Sequence, residues 1–296
     1  MNSHLLAHIS AVILDATQRP FVLRTATSVG GGSINDSFRL EASDGSRYFL
    51  KLNDAPQHAM FIAEKVGLDA IAATKTLRVP KPIAHGVASG QSYLVLEHLK
   101  LGAHGDARKL GEQLAELHRC RGDAFGFTQD NFIGTSAQPN IWKDNWVDFW
   151  REQRLGFQLQ LAAKNNHDGL LQSLGDKLLD ALPDFFDGYT PLPSLLHGDL
   201  WSGNHAFQTD GTPAIFDPAA YYGDRECDLA MTELFGGYPA DFYAAYRAAW
   251  PLDVGYKLRR ELYNLYHILN HANLFGGGYI RQAELMMQKL LNEVGR

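Results

Sequence analysis

The chain reads as an α+β protein of two lobes, a strand-rich lobe over residues 1–99 and a mainly helical lobe over residues 100–296. Three observations predict this. β-prone segments and turn signals crowd residues 25–99, apolar residues at helical spacing dominate the rest of the chain, and 296 residues with 45% hydrophobic content suffice for two packed bodies.

The opening run, residues 1–14, lacks the basic start of a signal peptide, and Leu5, Ile9 and Val12/Ile13 fall at helical spacing, so an amphipathic helix is expected. Residues 25–29 are β-prone, Gly30, Gly31, Gly32 and Ser33 come next, and residues 37–40 resume the strand pattern, which gives a hairpin with a glycine-rich turn. That turn lacks the Gly-Lys-Ser/Thr ending of a Walker A loop, and Asn35 stands where a Gly-x-Gly-x-x-Gly loop has its last glycine. After a turn at Asp44-Gly45, the strand 47–52 sets Lys51 among apolar neighbours, where an ammonium needs an anionic partner. Glu64 can supply it from residues 60–68, spaced as a helix packed on a sheet, although lone strand lysines and helical glutamates are more often surface charges. Residues 92–99 form an apolar strand with a polar end. Helical spacing takes over beyond it, so a hinge is expected there, with backbone groups around Glu97 and Leu99 free to hydrogen-bond.

In the second lobe Leu110, Leu114, Leu117 and His118 mark one apolar helix face, and Leu262, Leu265, Tyr266 and Leu269 another. Trp142, Trp146 and Trp150 recur every fourth residue around a helix start near Asp144, a stripe better suited to core than to a ligand platform.

The most specific chemistry lies in Leu196-His197-Gly198-Asp199-Leu200-Trp201-Ser202-Gly203-Asn204, with Asp217 thirteen residues further on. A His-Gly-Asp triplet alone is an ordinary turn. The Asp-x4-Asn spacing succeeded by a second Asp after the apolar run 214–216 instead suits phosphoryl transfer: Asp199 receives the proton of an attacking hydroxyl, and Asn204 and Asp217 hold magnesium against the phosphates. On that reading the turn of Gly30, Gly31, Gly32 and Ser33 covers a nucleotide, the Lys51–Glu64 pair aims at its phosphates, the backbone near Glu97 and Leu99 meets the adenine edge, and ATP occupies a cleft between the lobes.

Longer blocks add specificity: residues 31–35, 48–53 and 196–201, the run 217–232 (Asp-Pro-Ala-Ala-Tyr-Tyr-Gly-Asp-Arg-Glu-Cys-Asp-Leu-Ala-Met-Thr), and the run 269–279 (Leu-Asn-His-Ala-Asn-Leu-Phe-Gly-Gly-Gly-Tyr). On these the chain resembles, nearly end to end, the fructosamine kinase (ketosamine-3-kinase) family of the protein-kinase-like aminoglycoside and choline kinase group. The resemblance implies a protein-kinase-like bilobal fold. It also implies ATP- and Mg2+-dependent phosphorylation of the sugar 3-hydroxyl on a ketoamine, either a glycated protein lysine or a glycated small amine, which then sheds the sugar. Asp199 is by the same resemblance the base, Asn204 and Asp217 the metal ligands, Lys51 and Glu64 the phosphate-positioning pair, and His197 and Asp228 supports of the catalytic loop.

Two positions depart from the family pattern. Ser33 replaces a common loop cysteine, which removes any thiol switch there, and Asp224 replaces a common histidine. An acid near phosphates repels them, so Asp224 is expected to face solvent or pair with Arg225. Trp201 suits either an aromatic wall against the sugar or a packed core, and Asp228 suits a clasp on the catalytic loop and an N-cap of a helix starting at Leu229, two compatible roles. His267 and His271 lie one turn apart, yet no Glu or Cys completes a metal set, so a packed helix end is expected.

Only Cys120 and Cys227 occur, in unrelated contexts, so neither a disulfide scaffold nor a zinc site is indicated and a cytoplasmic location is expected. A net charge of −6 and a pI near 6.0 speak against a nucleic-acid partner, and no segment suggests a membrane. Two alternatives stay open: a small-molecule kinase of the aminoglycoside or choline type, and a nucleotide-binding regulator without catalysis. The joint retention of Lys51, Asp199, Asn204 and Asp217 disfavours the regulator.

Overall fold

The structure is a computed structural model describing residues 2–30 and 34–296; Gly31, Gly32 and Ser33 of the expected glycine-rich turn lie outside the described residues. In chain order the first elements are α1 (Ser3–Thr17), β1 (Leu23–Ser28), β2 (Asp36–Ala42), β3 (Arg47–Asp54), α2 (His58–Thr74), β4 (Pro82–Ala88), β5 (Gln91–Glu97) and β6 (Leu101–Gly102). Then come α3 (Ala107–Arg119), β7 (Asn131–Ile133), β8 (Ser136–Gln138), α4 (Trp146–Trp150), α5 (Gly156–Lys164) and α6 (Leu170–Ala181). The last third holds β9 (Ser194–Leu196), β10 (His205–Gln208), β11 (Pro213–Ile215), β12 (Tyr221–Gly223), α7 (Glu226–Leu234), α8 (Ala240–Ala249), α9 (Tyr256–Phe275) and α10 (Gly278–Glu293).

These elements form two compact units. One comprises residues 1–106 and 205–218, the other residues 107–204 and 219–296. The expected single cut after Leu99 therefore needs correction. β6 pairs with β10 through Phe207↔Gly102 and Gln208↔Leu101, and β10 pairs with β11, so a hairpin from far along the chain belongs to the first unit. A linear scan of composition cannot reveal a pairing across a hundred residues.

The first unit is built on an antiparallel sheet in the order β1-β2-β3-β5-β4. Strand parity divides its side chains between the two faces. Leu40, Leu50, Leu52, Tyr93 and Val95 turn to one face, where Leu5, Ile9 and Ile13 of α1 cover them. The helical spacing expected for the N-terminus is thus that of a helix capping a sheet. α2 packs against β4 and β5 and buries Phe61, Leu68 and Ile71.

In the second unit α3 packs on α8 and β9, α7 on α9, and α10 on α9 and α6. The expected faces are buried: Leu110, Leu114, Leu117 and His118 on α3, and Leu262, Leu265, Tyr266 and Leu269 on α9. Trp146 and Trp150 are buried among Phe149, Tyr263 and Tyr266. Trp142 departs from the expected stripe. It precedes Asn145, whose side chain caps α4 by accepting the Asp148 N–H, so it lies outside the helix and is 45% exposed.

His267 and His271 do lie one turn apart on α9, and no metal-binding group of three His, Cys, Asp or Glu residues occurs among the described residues. His267 is buried, and burial foremost, with His271 adding to it, pushes its pKa down from 6.5 to about 3. It stays neutral in the fold while an unfolded chain takes up the proton near 6.5. The stability it confers is present above that value and is lost as the pH falls toward 3. We expect His267→Phe to flatten the fall in Tm on acidification across that window, measured by thermal melts; curves parallel to wild type would contradict this.

Candidate active site

In the first unit, Lys51 lies on β3 between Leu50 and Leu52, which face the α1 side, so parity turns it to the opposite face. It is 4% exposed and donates to Glu64 Oε1 of α2 at 2.7 Å and to the Asp217 carboxylate. Burial alone would lower the ammonium's pKa, but the charges of Asp217 and Glu64 outweigh it and hold the pKa raised. Burial pushes Glu64 up to about 7, against the pull of Lys51. Asp217 lies just past β11, its side chain is 45% exposed, and it adopts φ +60, a left-handed conformation that Asp tolerates better than most residues. Three charged groups with one carboxylate in excess thus meet on one face of this unit. Asn53 of β3 donates to Asn35 Oδ1 at 2.7 Å and to the Ile34 carbonyl at 3.2 Å, which ties the rim of the glycine-rich segment to the strand carrying Lys51.

The hinge expectation is corrected in part. β5 is an inner strand flanked by β3 and β4, and the Glu97 N–H already donates to the Lys81 carbonyl at 2.8 Å. The Glu97 side chain pairs with Arg78 and accepts the Lys81 N–H at 3.2 Å. Leu99, past the end of β5, is half-buried.

In the second unit, β9 pairs with β12 and leads into Gly198 and Asp199. Gly198 has φ +83, and a Cβ there would lie 2.1 Å from the Ala219 carbonyl oxygen, so glycine is required on two counts. Asp228, within the first turn of α7, is 1% exposed; its Oδ2 accepts the His197 N–H at 2.7 Å and its Oδ1 the Gly198 N–H at 2.8 Å. Of the two readings of Asp228, the clasp is what forms, and α7 begins at Glu226 rather than Leu229. Despite burial, the hydrogen bonds it accepts from the His118 ring and the His197 N–H hold its pKa below the usual value. His197 is fully buried and its Nδ1 accepts the Asp199 N–H at 3.2 Å. Asn204 donates through Nδ2 to the Asp199 carbonyl at 2.8 Å and to Asp199 Oδ2 at 3.2 Å, which orients the carboxylate and leaves the amide oxygen of Asn204 available. Trp201 is half-buried, its ring against Gly203 and its carbonyl accepting from the Tyr238 hydroxyl at 3.1 Å.

We expect Gly198→Ala to lower Tm by roughly 5 °C or more, since it combines a strained φ with a clash against fixed backbone. A melt within a degree of wild type would show that the loop relaxes freely.

Asp224 contradicts both expectations for it. It is 1% exposed and accepts from the Tyr263 hydroxyl at 2.6 Å, the Tyr189 hydroxyl at 3.0 Å and the Glu226 N–H at 3.0 Å. Arg225 turns away, to the Tyr246 hydroxyl and the carbonyls of Trp250 and Pro251. Two phenols and a helix N-terminal N–H replace the water that an exposed carboxylate would need. Burial nevertheless raises its pKa. The residues missed from sequence are His118, Tyr246 and Arg225. The one signal was a histidine closing an apolar helix face, where a buried ring must find partners.

A strand lysine held by a helical glutamate and a turn carboxylate, and a clasped Asp–Asn loop, belong to an α+β protein of the kinase-like phosphotransferase class. The fold matches that of the ADP-bound aminoglycoside phosphotransferase APH(2'')-Ib, with TM-score 0.61 at 14% identity over 99% of this chain and 97% of that one, a likeness of fold alone. The chain belongs to the fructosamine kinase family, whose pattern matches residues 5–293. It is 50% identical over 295 residues, 96% of each chain, to a Synechocystis sp. protein named "Probable ketoamine kinase". It is 43% identical over 256 residues, 85% of this chain and 78% of the other, to the chloroplastic protein-ribulosamine 3-kinase of Arabidopsis thaliana. A crystal structure from Haemophilus somnus 129PT, of a protein named "Putative fructosamine-3-kinase", matches with TM-score 0.87 at 30% identity over 96% of both chains.

Proposed function

We propose that this chain is an ATP- and magnesium-dependent ketosamine-3-kinase that phosphorylates the sugar 3-hydroxyl of ribulosamines or fructosamines on glycated lysines or small amines. The observation that carries the reading is the Asp199–Asn204 geometry. The Asn204 amide protons are taken by Asp199, so its carbonyl oxygen is left for a hard cation and the carboxylate is held for a proton. In the proposed reaction the acceptor oxygen bonds to the γ-phosphorus, its proton passes to the Asp199 carboxylate, and the bond from phosphorus to the β–γ bridging oxygen breaks to release ADP.

The donor set suits magnesium: Asp217 offers carboxylate oxygen and Asn204 an amide oxygen, both hard ligands. When bound, the ion supplies charge neutralisation to the phosphates. Lys51, fixed by Glu64, orients the phosphates, and Gly30, Gly31, Gly32 and Ser33 are assigned to nucleotide binding. Since the Glu97 N–H is already bonded, the adenine edge is assigned to the backbone at Leu99. Trp201 is assigned to the sugar side of Asp199. Both cysteines are free, which suits the reducing cytoplasm, and no helix among the described residues is long and apolar enough to cross a membrane.

The test is ATP consumption by the purified protein with magnesium, comparing ribulosyl-lysine, fructosyl-lysine, an aminoglycoside and choline, with Asp199→Asn as control. Transfer to a ketoamine that the variant lacks is the expected result. Activity only on the aminoglycoside or choline would move the chain to the neighbouring kinases, and none on any acceptor would favour a regulator.

A further inference from the structure

The Asp228 clasp has a second layer that the phosphoryl-transfer reading leaves without a role. His118, near the end of α3 and fully buried, stands between Asp228 and α8: its Nε2 is 3.1 Å from Asp228 Oδ2 and its Nδ1 2.8 Å from the Tyr246 hydroxyl. Arg225 Nη1 reaches the same hydroxyl at 3.2 Å, while its other bonds, to Trp250 and Pro251 carbonyls, and its stacking 4.1 Å over the Trp250 ring hold the guanidinium in place. Donor chemistry sets the direction of each bond. A guanidinium only donates, so the phenol oxygen accepts from Arg225 and its own proton goes to His118 Nδ1; a carboxylate only accepts, so His118 Nε2 carries the proton given to Asp228. Every member is satisfied with a neutral imidazole in a single tautomer. A charged ring would instead point two donors outward, leaving the phenol proton without an acceptor beside Arg225.

We propose that Arg225, Tyr246 and His118 form a one-way hydrogen-bond relay that fixes the rotation of the Asp228 carboxylate and, through the His197 and Gly198 N–H groups, the position of Asp199. These are positioning residues, and the inference rests on Asp199 being the base. The two N–H groups held by Asp228 immediately precede Asp199, so a turn of that carboxylate moves the base, and a misplacement of about 1 Å can cost ~100-fold in rate. Burial, and the nearby Arg225 charge against the pull of Asp228, keep the His118 pKa below its usual value, in accord with the neutral ring.

The relay is tested first without substrate, by 15N NMR of histidine-labelled full-length protein from about pH 5.5 to about 8, across the range where an ordinary histidine titrates. With His118 assigned by the signal missing in His118→Asn, the expected result is a neutral Nε2–H ring throughout. An Nδ1–H ring or an imidazolium would overturn the relay. Kinetics provide the second test. His118→Asn places its amide toward Tyr246 and short of Asp228, and should lose ~10–100-fold in kcat with the KM for ATP within about 3-fold. His118→Gln puts its amide nitrogen where Nε2 lay and should recover most of that loss. Equal losses in the two variants, or losses that merely track Tm, would overturn the positioning role. If the wild-type protein transfers phosphate to no ketoamine, the proposed function fails while the NMR result still decides the relay.

Discussion

Asp199→Asn is expected to reduce phosphate transfer by ~10²–10⁴-fold, the contribution of a positioned general base, while the KM for ATP stays within a few-fold of wild type. The substitution is nearly isosteric. The Asn204 bond to the residue 199 carbonyl, 2.8 Å in length, does not involve the side chain, and the Asp228 bonds to His197 and Gly198 are to backbone N–H groups. The loop should keep its path, so Tm should hardly change. What disappears, on the proposed reading, is the ability to take a proton from the acceptor hydroxyl, which the amide lacks at any working pH. The loss should therefore fall on kcat. Steady-state kinetics with ATP and the ketoamine varied separately make the distinction. Turnover near wild type would remove Asp199 as the base, and a rise confined to the KM for ATP would recast it as a nucleotide contact.

The contrast between Lys51 and His118 shows which parts of this site were legible in the sequence. Lys51 sits in a strand whose alternation puts Leu50 and Leu52 on one face and the ammonium on the other, and a buried ammonium must find an anion; period and desolvation together led to Glu64. The Asp199–Asn204 contact arises from short-range spacing in one loop. The relay spans residues 118, 225, 228 and 246, and no local pattern joins them. Asp224 is not legible from its local sequence because neighbours in sequence are not neighbours in space here. Side chains one residue apart at a helix start diverge, so Arg225 left toward Trp250 while Asp224 met tyrosines from positions 189 and 263. The β6–β10 pairing escaped for the same reason: long-range contacts are set by the folded chain and leave no periodic trace.

Asp217→Asn should raise the magnesium–ATP concentration needed for half-maximal transfer roughly tenfold or more, about 1.4 kcal/mol, with Tm within about 3 °C of wild type. Asparagine keeps the φ +60 conformation with little strain, whereas alanine would add strain unrelated to the charge. Stability should be nearly untouched because Lys51 retains Glu64 at 2.7 Å, and a pair whose acid is 45% exposed is worth little. On the proposed reading function should suffer, because the carboxylate in excess of what Lys51 needs is the one assigned to the divalent cation. Bare ATP would be repelled by that carboxylate, while the magnesium complex is not. Lys51→Met makes the complementary case: Glu64 and Asp217 remain as like charges without a cation, Glu64 is driven further toward its protonated form, and both stability and transfer should fall. Titration of magnesium at fixed ATP, with melts of both variants, separates the two. If Asp217→Asn leaves the magnesium dependence unchanged, Asp217 is not a metal ligand and serves only to balance Lys51.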